Sequence, residues 1–248
     1  MLQEVMEYLN PKPDGYFIDC TLGGGGYTMA IAKKIGAGGR ILAVDLDEMA
    51  IENAKIKIQA PKFKNIILAN DNFKNLSSIV KEYFPDEKDI KFDGIVFDLG
   101  LSQAQLEDRS RGFSFKFSDA PIKMEFGTGD RESGEIKTEE IVNKWKQEEL
   151  ERIIKEYGEE KFARRIAQKI IEYRKNKKLE KVGELVEIIK SAVPGRYRNG
   201  PIHFATRVFQ ALRIATNGEL ENLEEVLPQA ENMLKTGGRL AVISFHSL

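Results

Sequence analysis

Tyr16-Phe17-Ile18-Asp19-Cys20-Thr21-Leu22-Gly23-Gly24-Gly25-Gly26-Tyr27 decides the fold of this chain. A short apolar run leads through a glycine cluster into the helix-like segment Tyr27 to Ile35. Glycines let the main chain approach a ligand where side chains would clash, and the helix that follows aims its first N–H groups at it. The pattern predicts a strand, a nucleotide-type loop and a helix. Past a turn at Gly36 to Gly39, Arg40-Ile41-Leu42-Ala43-Val44 reads as a second buried strand ending in Asp45-Leu46-Asp47. An acid at the tip of the second strand of a βαβ unit is placed to accept hydrogen bonds from the ribose hydroxyls of an adenosine, which makes Asp45 a candidate ligand. A dinucleotide fingerprint starting at Gly23 requires a third glycine at position 28, where the chain has Thr28. The alternative to a cofactor loop is a glycine-rich turn that holds nothing.

Working outward, Ile66 to Asn70 reads as strand three and Gly94 to Leu99 as strand four. Gly237-Gly238 reads as a turn into a fifth strand that ends near Ser244. Strands alternating with helices imply an α/β fold with a parallel sheet, ligands binding at the carboxyl ends of its strands. Asp19, Asp45, Asp71, Asp98 and Ser244 all fall at or near those ends. Far more chain lies between strands four and five than one crossover needs. Thr138 to Tyr173 reads as two helices broken near Tyr157-Gly158, Lys181 to Ala192 as another and Ala205 to Ala215 as one more. The expected organisation is a nucleotide-binding domain of residues 1–104 and 217–248, interrupted by a mainly helical insert over 105–216.

With 248 residues there is ample core, and 31% charged against 42% hydrophobic residues is ordinary for a globular protein. No apolar stretch is long enough to span a bilayer and Met1-Leu2-Gln3-Glu4 lacks a signal-peptide layout, so no membrane association and a cytoplasmic location are expected. One cysteine, Cys20, excludes an internal disulfide; it reads as a small buried residue. With two histidines, His203 and His246, no metal site is expected. Charge is uneven. Lys144 to Arg213 holds 18 Lys/Arg against 10 Asp/Glu in a chain whose net charge is −1. Within it lie Arg164-Arg165, Arg174-Lys175-Asn176-Lys177-Lys178 and the glycine-bounded Arg196-Tyr197-Arg198. Guanidiniums beside an aromatic ring suit phosphate neutralisation plus base stacking, so Arg196 and Arg198 are candidate RNA contacts. For Arg174 to Lys178 a solvated helix face with Glu partners at helical spacing is the equal alternative.

Asp19 to Gly26 also resembles motif I of S-adenosylmethionine-dependent methyltransferases. Further blocks carry a narrower resemblance: Asp98 to Leu106, Arg111-Gly112-Phe113-Ser114-Phe115, Tyr157 to Ala167, Ala205 to Ile214 and Ile243-Ser244-Phe245-His246-Ser247-Leu248. Together and in order, over essentially the whole chain, they resemble the RsmH/MraW family, which methylates the exocyclic N4 of a cytidine in the decoding region of small-subunit (16S) ribosomal RNA. The resemblance implies a Rossmann-like class I methyltransferase sheet with an inserted helical subdomain. It implies S-adenosyl-L-methionine as cofactor, with 16S ribosomal RNA or the small ribosomal subunit as partner, and is compatible with a homodimer. It also implies that Gly25, Gly26 and Tyr27 line the methionine part of the cofactor, that Asp45 holds the ribose and Phe73 packs by the adenine, and that Asp98 and Gln105 complete the site. Phe73 has core packing as its alternative, and Asp71, a second candidate for the adenine amine, has turn capping. The family continues beyond the equivalent of Leu248, so the C-terminal strands of the sheet are expected to be missing here. Lys123 and Glu125 reverse the family's charges.

Methyl transfer from a sulfonium is a direct displacement, so alignment and control of charge are the enzyme's main tasks. Acceptors that take the hydrogens of a cytosine amine would turn its nitrogen toward the methyl group. Asp98 and the Ser102 hydroxyl are the expected catalytic pair, Ser102 having turn stabilisation as its alternative. A base taken out of its stack needs aromatic or apolar faces. Phe113, Phe115 and His246 are the candidates, with burial of one face of an extended segment, and capping, as the respective alternatives. A non-catalytic RNA-binding protein on the same scaffold is the rival function.

Overall fold

The computed structural model describes residues 1–59, 63–87, 89–127 and 136–246. They form two compact units: residues 1–102, 127 and 220–246 in the first, 103–126 and 136–219 in the second.

The first unit is built on a five-stranded sheet in the order β3-β2-β1-β4-β5, with every neighbouring pair parallel. The strands are β1 (Tyr16–Asp19), β2 (Arg40–Asp45), β3 (Ile66–Asn70), β4 (Phe92–Asp98) and β5 (Leu234–Ile243). Runs such as Ile41 to Val44 and Ile95 to Phe97 are wholly buried because helices cover both faces, which is why they read as continuous apolar stretches rather than alternating ones. Alternate residues serve opposite faces. Phe17 packs with Ile31, Ala32 and Ile35 of α2 (Gly26–Ile35) and with Val5 and Leu9 of α1 (Leu2–Leu9). Ile18 packs with Leu76 and Ile79 of α4 (Leu76–Tyr83) and with Val226 and Ala230 of α12 (Glu219–Met233). Between β2 and β3 runs α3 (Glu48–Lys57), capped by the Asp47 carboxylate on the Met49 N–H at 3.1 Å. This is a doubly wound, Rossmann-type sheet, and its strand order reverses between β1 and β4.

Two elements differ from the sequence reading. α12 was not expected: its acidic composition and the internal Pro228 obscure the apolar spacing Leu223, Val226, Ala230, Met233. β5 begins at Leu234, so Gly237-Gly238 lies inside the strand and not in a turn before it. Pairing jumps from Phe92↔Leu234 to Gly94↔Arg239, a bulge that Gly237 accommodates at φ +81°. β5 is the outer strand of the described sheet, and no helix of the described residues is long and apolar enough to cross a membrane.

The second unit is helical: α5 (Gln103–Glu107), α6 (Thr138–Lys144), α7 (Gln147–Glu156), α8 (Ala163–Arg174), α9 (Val182–Ala192), α10 (Gly195–Arg198) and α11 (Thr206–Asn217). Ile141, Leu150, Ile153, Ile166, Ile170, Leu185, Ile189, Val208 and Leu212 are its fully buried centre. Three helices, not two, occupy Thr138 to Arg174, because the chain turns extended at Trp145 and Lys146 before α7. The segment Arg196 to Arg198, read as a loop, closes into one helical turn.

Candidate functional site

The glycine loop leaves β1 between the ends of β2 and β4. Cys20 donates its N–H to Val96 O and Leu22 to Val44 O, both at 2.9 Å. The chain then reverses through Gly23 (φ +47°) and Gly25 (φ +78°), conformations that side chains disfavour. Asp45 fixes this reversal from the tip of β2. Its Oδ2 accepts the Gly23 N–H at 2.7 Å and its Oδ1 the Asp47 N–H at 2.8 Å. On the other side, Lys57 of α3 donates to Gly24 O at 2.8 Å. A Cβ added at Gly24 or Gly26 would meet nothing within 4 Å, so the main chain is bare on that side.

Beneath the loop, Asp19 is completely buried. Its Oδ1 accepts the Thr21 N–H at 3.2 Å and its Oδ2 the Thr28 hydroxyl at 2.6 Å. Desolvation, reinforced by the Asp45 charge and opposed by those hydrogen bonds, pushes its carboxyl up to about 6. Thr21 carries the brace onward, because its Oγ1 accepts the Asp98 N–H at 2.7 Å. Asp98 therefore sits at the end of β4 with its backbone tied to the glycine loop. Its Oδ1 is buried and has no hydrogen-bond partner among the described residues, and burial raises its carboxyl above the usual range. Half-buried Tyr27 has its phenol raised by burial first and then by the Asp98 and Asp19 charges. Ser102 stands over the loop: its Cβ is 3.9 Å from where a Gly23 Cβ would lie.

At the end of β3, Phe73 sets its ring edge on Phe97, with centroids 5.6 Å apart and planes at 88°, and stays half-buried against the core. Asp71 takes the capping alternative, accepting the Asn72 N–H at 2.6 Å and the Asn75 amide at 2.9 Å. Past β5, His246 keeps a buried Nδ1 without a partner among the described residues, while Phe245 beside it is 76% exposed. β5 pairs Ile243 with Asp98, so the two unpartnered polar atoms belong to the ends of adjacent strands.

The remaining candidates belong to the second unit. Gln105 is buried in α5. Phe113 departs from the expectation of an available face: it is 4% exposed, stacked on Phe126 at 5.8 Å, with the Arg111 guanidinium 5.4 Å from its ring. Phe115 stacks on His203, with centroids 4.2 Å apart and planes at 10°. Arg196 is exposed, whereas Arg198 turns back onto its own loop and donates to Val193 O at 3.1 and 3.3 Å. Arg174 to Lys178 runs off the end of α8 and not along a helix face, and its partners come from other segments, not from glutamates at helical spacing. Arg174 donates to Val142 O and Trp145 O, Lys177 pairs with Glu184 and Lys178 with Glu139. Burial opposes ionisation of Glu184, yet Lys177 and two backbone N–H groups bring its carboxyl down to about 2. Thr21, Thr28 and Lys57 were not singled out from the sequence. A hydroxyl two and nine residues beyond the motif acid was the one local signal for Thr21 and Thr28, and Lys57 had none.

Three carboxylates, Asp19, Asp45 and Asp98, gather about a bare glycine loop. That field favours a cationic ligand such as a sulfonium with an ammonium group and repels a pyrophosphate. The residues present therefore fit S-adenosylmethionine and not a dinucleotide. The chain is similar to a candidate rRNA-methylase from Clostridium thermocellum, at 23% identity over 42% of this chain and 53% of that one, TM-score 0.37. It is similar to an rRNA methylase from Streptococcus thermophilus, at 21% identity over 39% and 53%, TM-score 0.32. A candidate methyltransferase from Streptococcus mutans, solved in complex with SAH, matches at 19% identity over 42% and 53%, TM-score 0.35. The chain thus spans about half the length of each of these structures. The family model of the MraW methylases matches residues 1–248, and the protein belongs to the MraW methylase family.

Proposed function

We propose that this protein is an S-adenosylmethionine-dependent methyltransferase that methylates the exocyclic N4 of a cytidine in the decoding region of 16S ribosomal RNA, acting in the cytoplasm on the RNA or the small subunit. The observation that carries this reading is the buried Asp98 Oδ1 with no donor among the described residues. A buried acceptor left without a partner costs about 1–3 kcal/mol, so its retention at the carboxyl end of β4 points to a donor from outside the chain. An exocyclic amine offers two N–H donors.

S-adenosylmethionine supplies an electrophilic methyl group on a sulfonium, transferred in one in-line displacement. The chain's own residues bind and align. Gly25, Gly26 and Tyr27 line the methionine part of the site, Asp45 the ribose and Phe73 the adenine. Asp98 Oδ1 accepts an N–H of the target amine and, with the Ser102 hydroxyl, turns the nitrogen lone pair out of conjugation with the ring. Thr21 keeps the Asp98 main chain in place while this happens. His246 lies by the base, and the second unit, with Phe115 and Arg196, recognises the RNA.

Asp98→Ala should lower kcat about a hundredfold or more with little change in RNA affinity, as for an interaction made mainly in the transition state. Asp98→Asn should retain part of the rate, since its amide oxygen still accepts. N4-methylcytidine is measured by mass spectrometry of digested small-subunit RNA. Wild-type turnover in Asp98→Ala would refute the assigned role, and no methylated cytidine from the wild type would favour a non-catalytic RNA-binding scaffold.

A further inference from the structure

The second unit divides its cations into two populations. Arg109, Arg152 and Arg213 pair with carboxylates, while Arg111, Arg174, Arg198 and Arg207 donate to main-chain carbonyls. Among the described residues of this unit, the arginines left without an ion pair or hydrogen bond are Arg164, Arg165 and Arg196, all exposed. Arg196 is far from the other two in sequence, but one part-buried hydrogen bond joins the segments that carry them. Glu160 is 1% exposed; its Oε1 accepts the Phe162 N–H at 2.9 Å and its Oε2 accepts the Tyr197 hydroxyl at 2.6 Å. Tyr197 meets Phe162 edge to face at 5.0 Å, and Lys161 lies over both rings, 4.9 Å from Tyr197 and 5.3 Å from Phe162. Burial, and then Glu160, push the Tyr197 phenol up to about 12, so it remains a donor to the carboxylate at any physiological pH.

We infer that Lys161, Arg164, Arg165 and Arg196 form one phosphate-binding surface for single-stranded RNA, clamped together by the Glu160–Tyr197 hydrogen bond. This rests on the RNA-substrate reading above and names the surface that serves it. A guanidinium fork suits phosphate oxygens, and three forks left free of internal acceptors can neutralise phosphates without first breaking a bond. The half-buried Tyr197 and Phe162 rings, under the Lys161 ammonium, add an aromatic element to the cationic one. Lys177 and Lys178, equally basic in sequence, lack this freedom because each is paired with a glutamate.

The test measures binding of a short labelled single-stranded oligoribonucleotide by fluorescence anisotropy across a salt series. Arg164→Ala/Arg165→Ala/Arg196→Ala should weaken binding at least about tenfold and flatten the log–log salt slope by about 2, the value for three lost contacts to a single strand. Lys177→Ala/Lys178→Ala should leave both affinity and slope unchanged. Tyr197→Phe keeps every charge but removes the clamp, and should weaken binding about threefold to tenfold. Thermal unfolding by circular dichroism confirms that each variant folds. An unchanged affinity and slope in the triple arginine variant would overturn the proposal, as would an equal loss in the Lys177/Lys178 variant. Wild-type protein that fails to bind the oligonucleotide would instead overturn the RNA-substrate reading, and the surface with it.

Discussion

Asp19 should make the protein less stable as pH rises, opposite to the usual behaviour of a native carboxylate. Its carboxyl ionises near 6 when folded, against 3.8 in the unfolded chain, because it is fully buried. Between those values the unfolded chain has released the proton that the folded chain still holds. The unfolded state binds fewer protons, so stability falls across this window and is flat above it. The gap between 3.8 and about 6, at about 1.4 kcal/mol for each tenfold change in proton activity, corresponds to a loss of about 3 kcal/mol. Asp19→Asn cannot ionise. Its starting stability will differ, since one amide oxygen replaces two acceptors for Thr21 and Thr28, but that difference is not set by pH. Urea unfolding of both proteins, followed by circular dichroism from below pH 3.8 to above pH 6, should show wild type losing about 3 kcal/mol relative to the variant. A difference that does not change with pH would mean that Asp19 is not desolvated as described. A gain by wild type on raising the pH would mean that its two hydrogen bonds outweigh burial.

Asp45→Ala should weaken S-adenosylmethionine binding by about 1–3 kcal/mol in calorimetry, losing both an acidic acceptor and the tether on the Gly23 N–H; unchanged affinity would remove Asp45 from the site. Phe113→Ala should lower unfolding free energy by about 3–5 kcal/mol, as for a buried aromatic side chain. A variant as stable as wild type but weaker on RNA would return Phe113 to the base-binding role.

What the sequence determined by itself is local. Ile41 to Val44 and Ile95 to Phe97 announce strands buried on both faces because no polar residue interrupts them, and Gly23 to Gly26 announce a sharp turn because few other residues adopt its backbone. Strand ends place Asp45 and Asp98 at one edge of a parallel sheet, and chain order alone supplies that. Helices broken by a change of main-chain conformation were less legible: nothing in Trp145-Lys146 forces an extended pair, and the apolar spacing of α12 runs through Pro228. Only the tertiary structure decided which polar groups are already satisfied. Gln229 accepts the Ser77 N–H and donates to Lys74 O from about 150 residues away, Glu160 finds Tyr197 and Asp45 finds Gly23. Two basic runs that look alike in sequence become a paired surface at Lys177 and Lys178 and a free one at Arg164 and Arg165. Asp98 and Asp19 are both acids at strand ends, yet among the described residues one keeps an oxygen without a donor and the other has both occupied. Hydrophobic periodicity is written along the chain because burial of a strand depends on its own residues. Hydrogen-bond partners are not, because donor and acceptor meet only when distant segments pack.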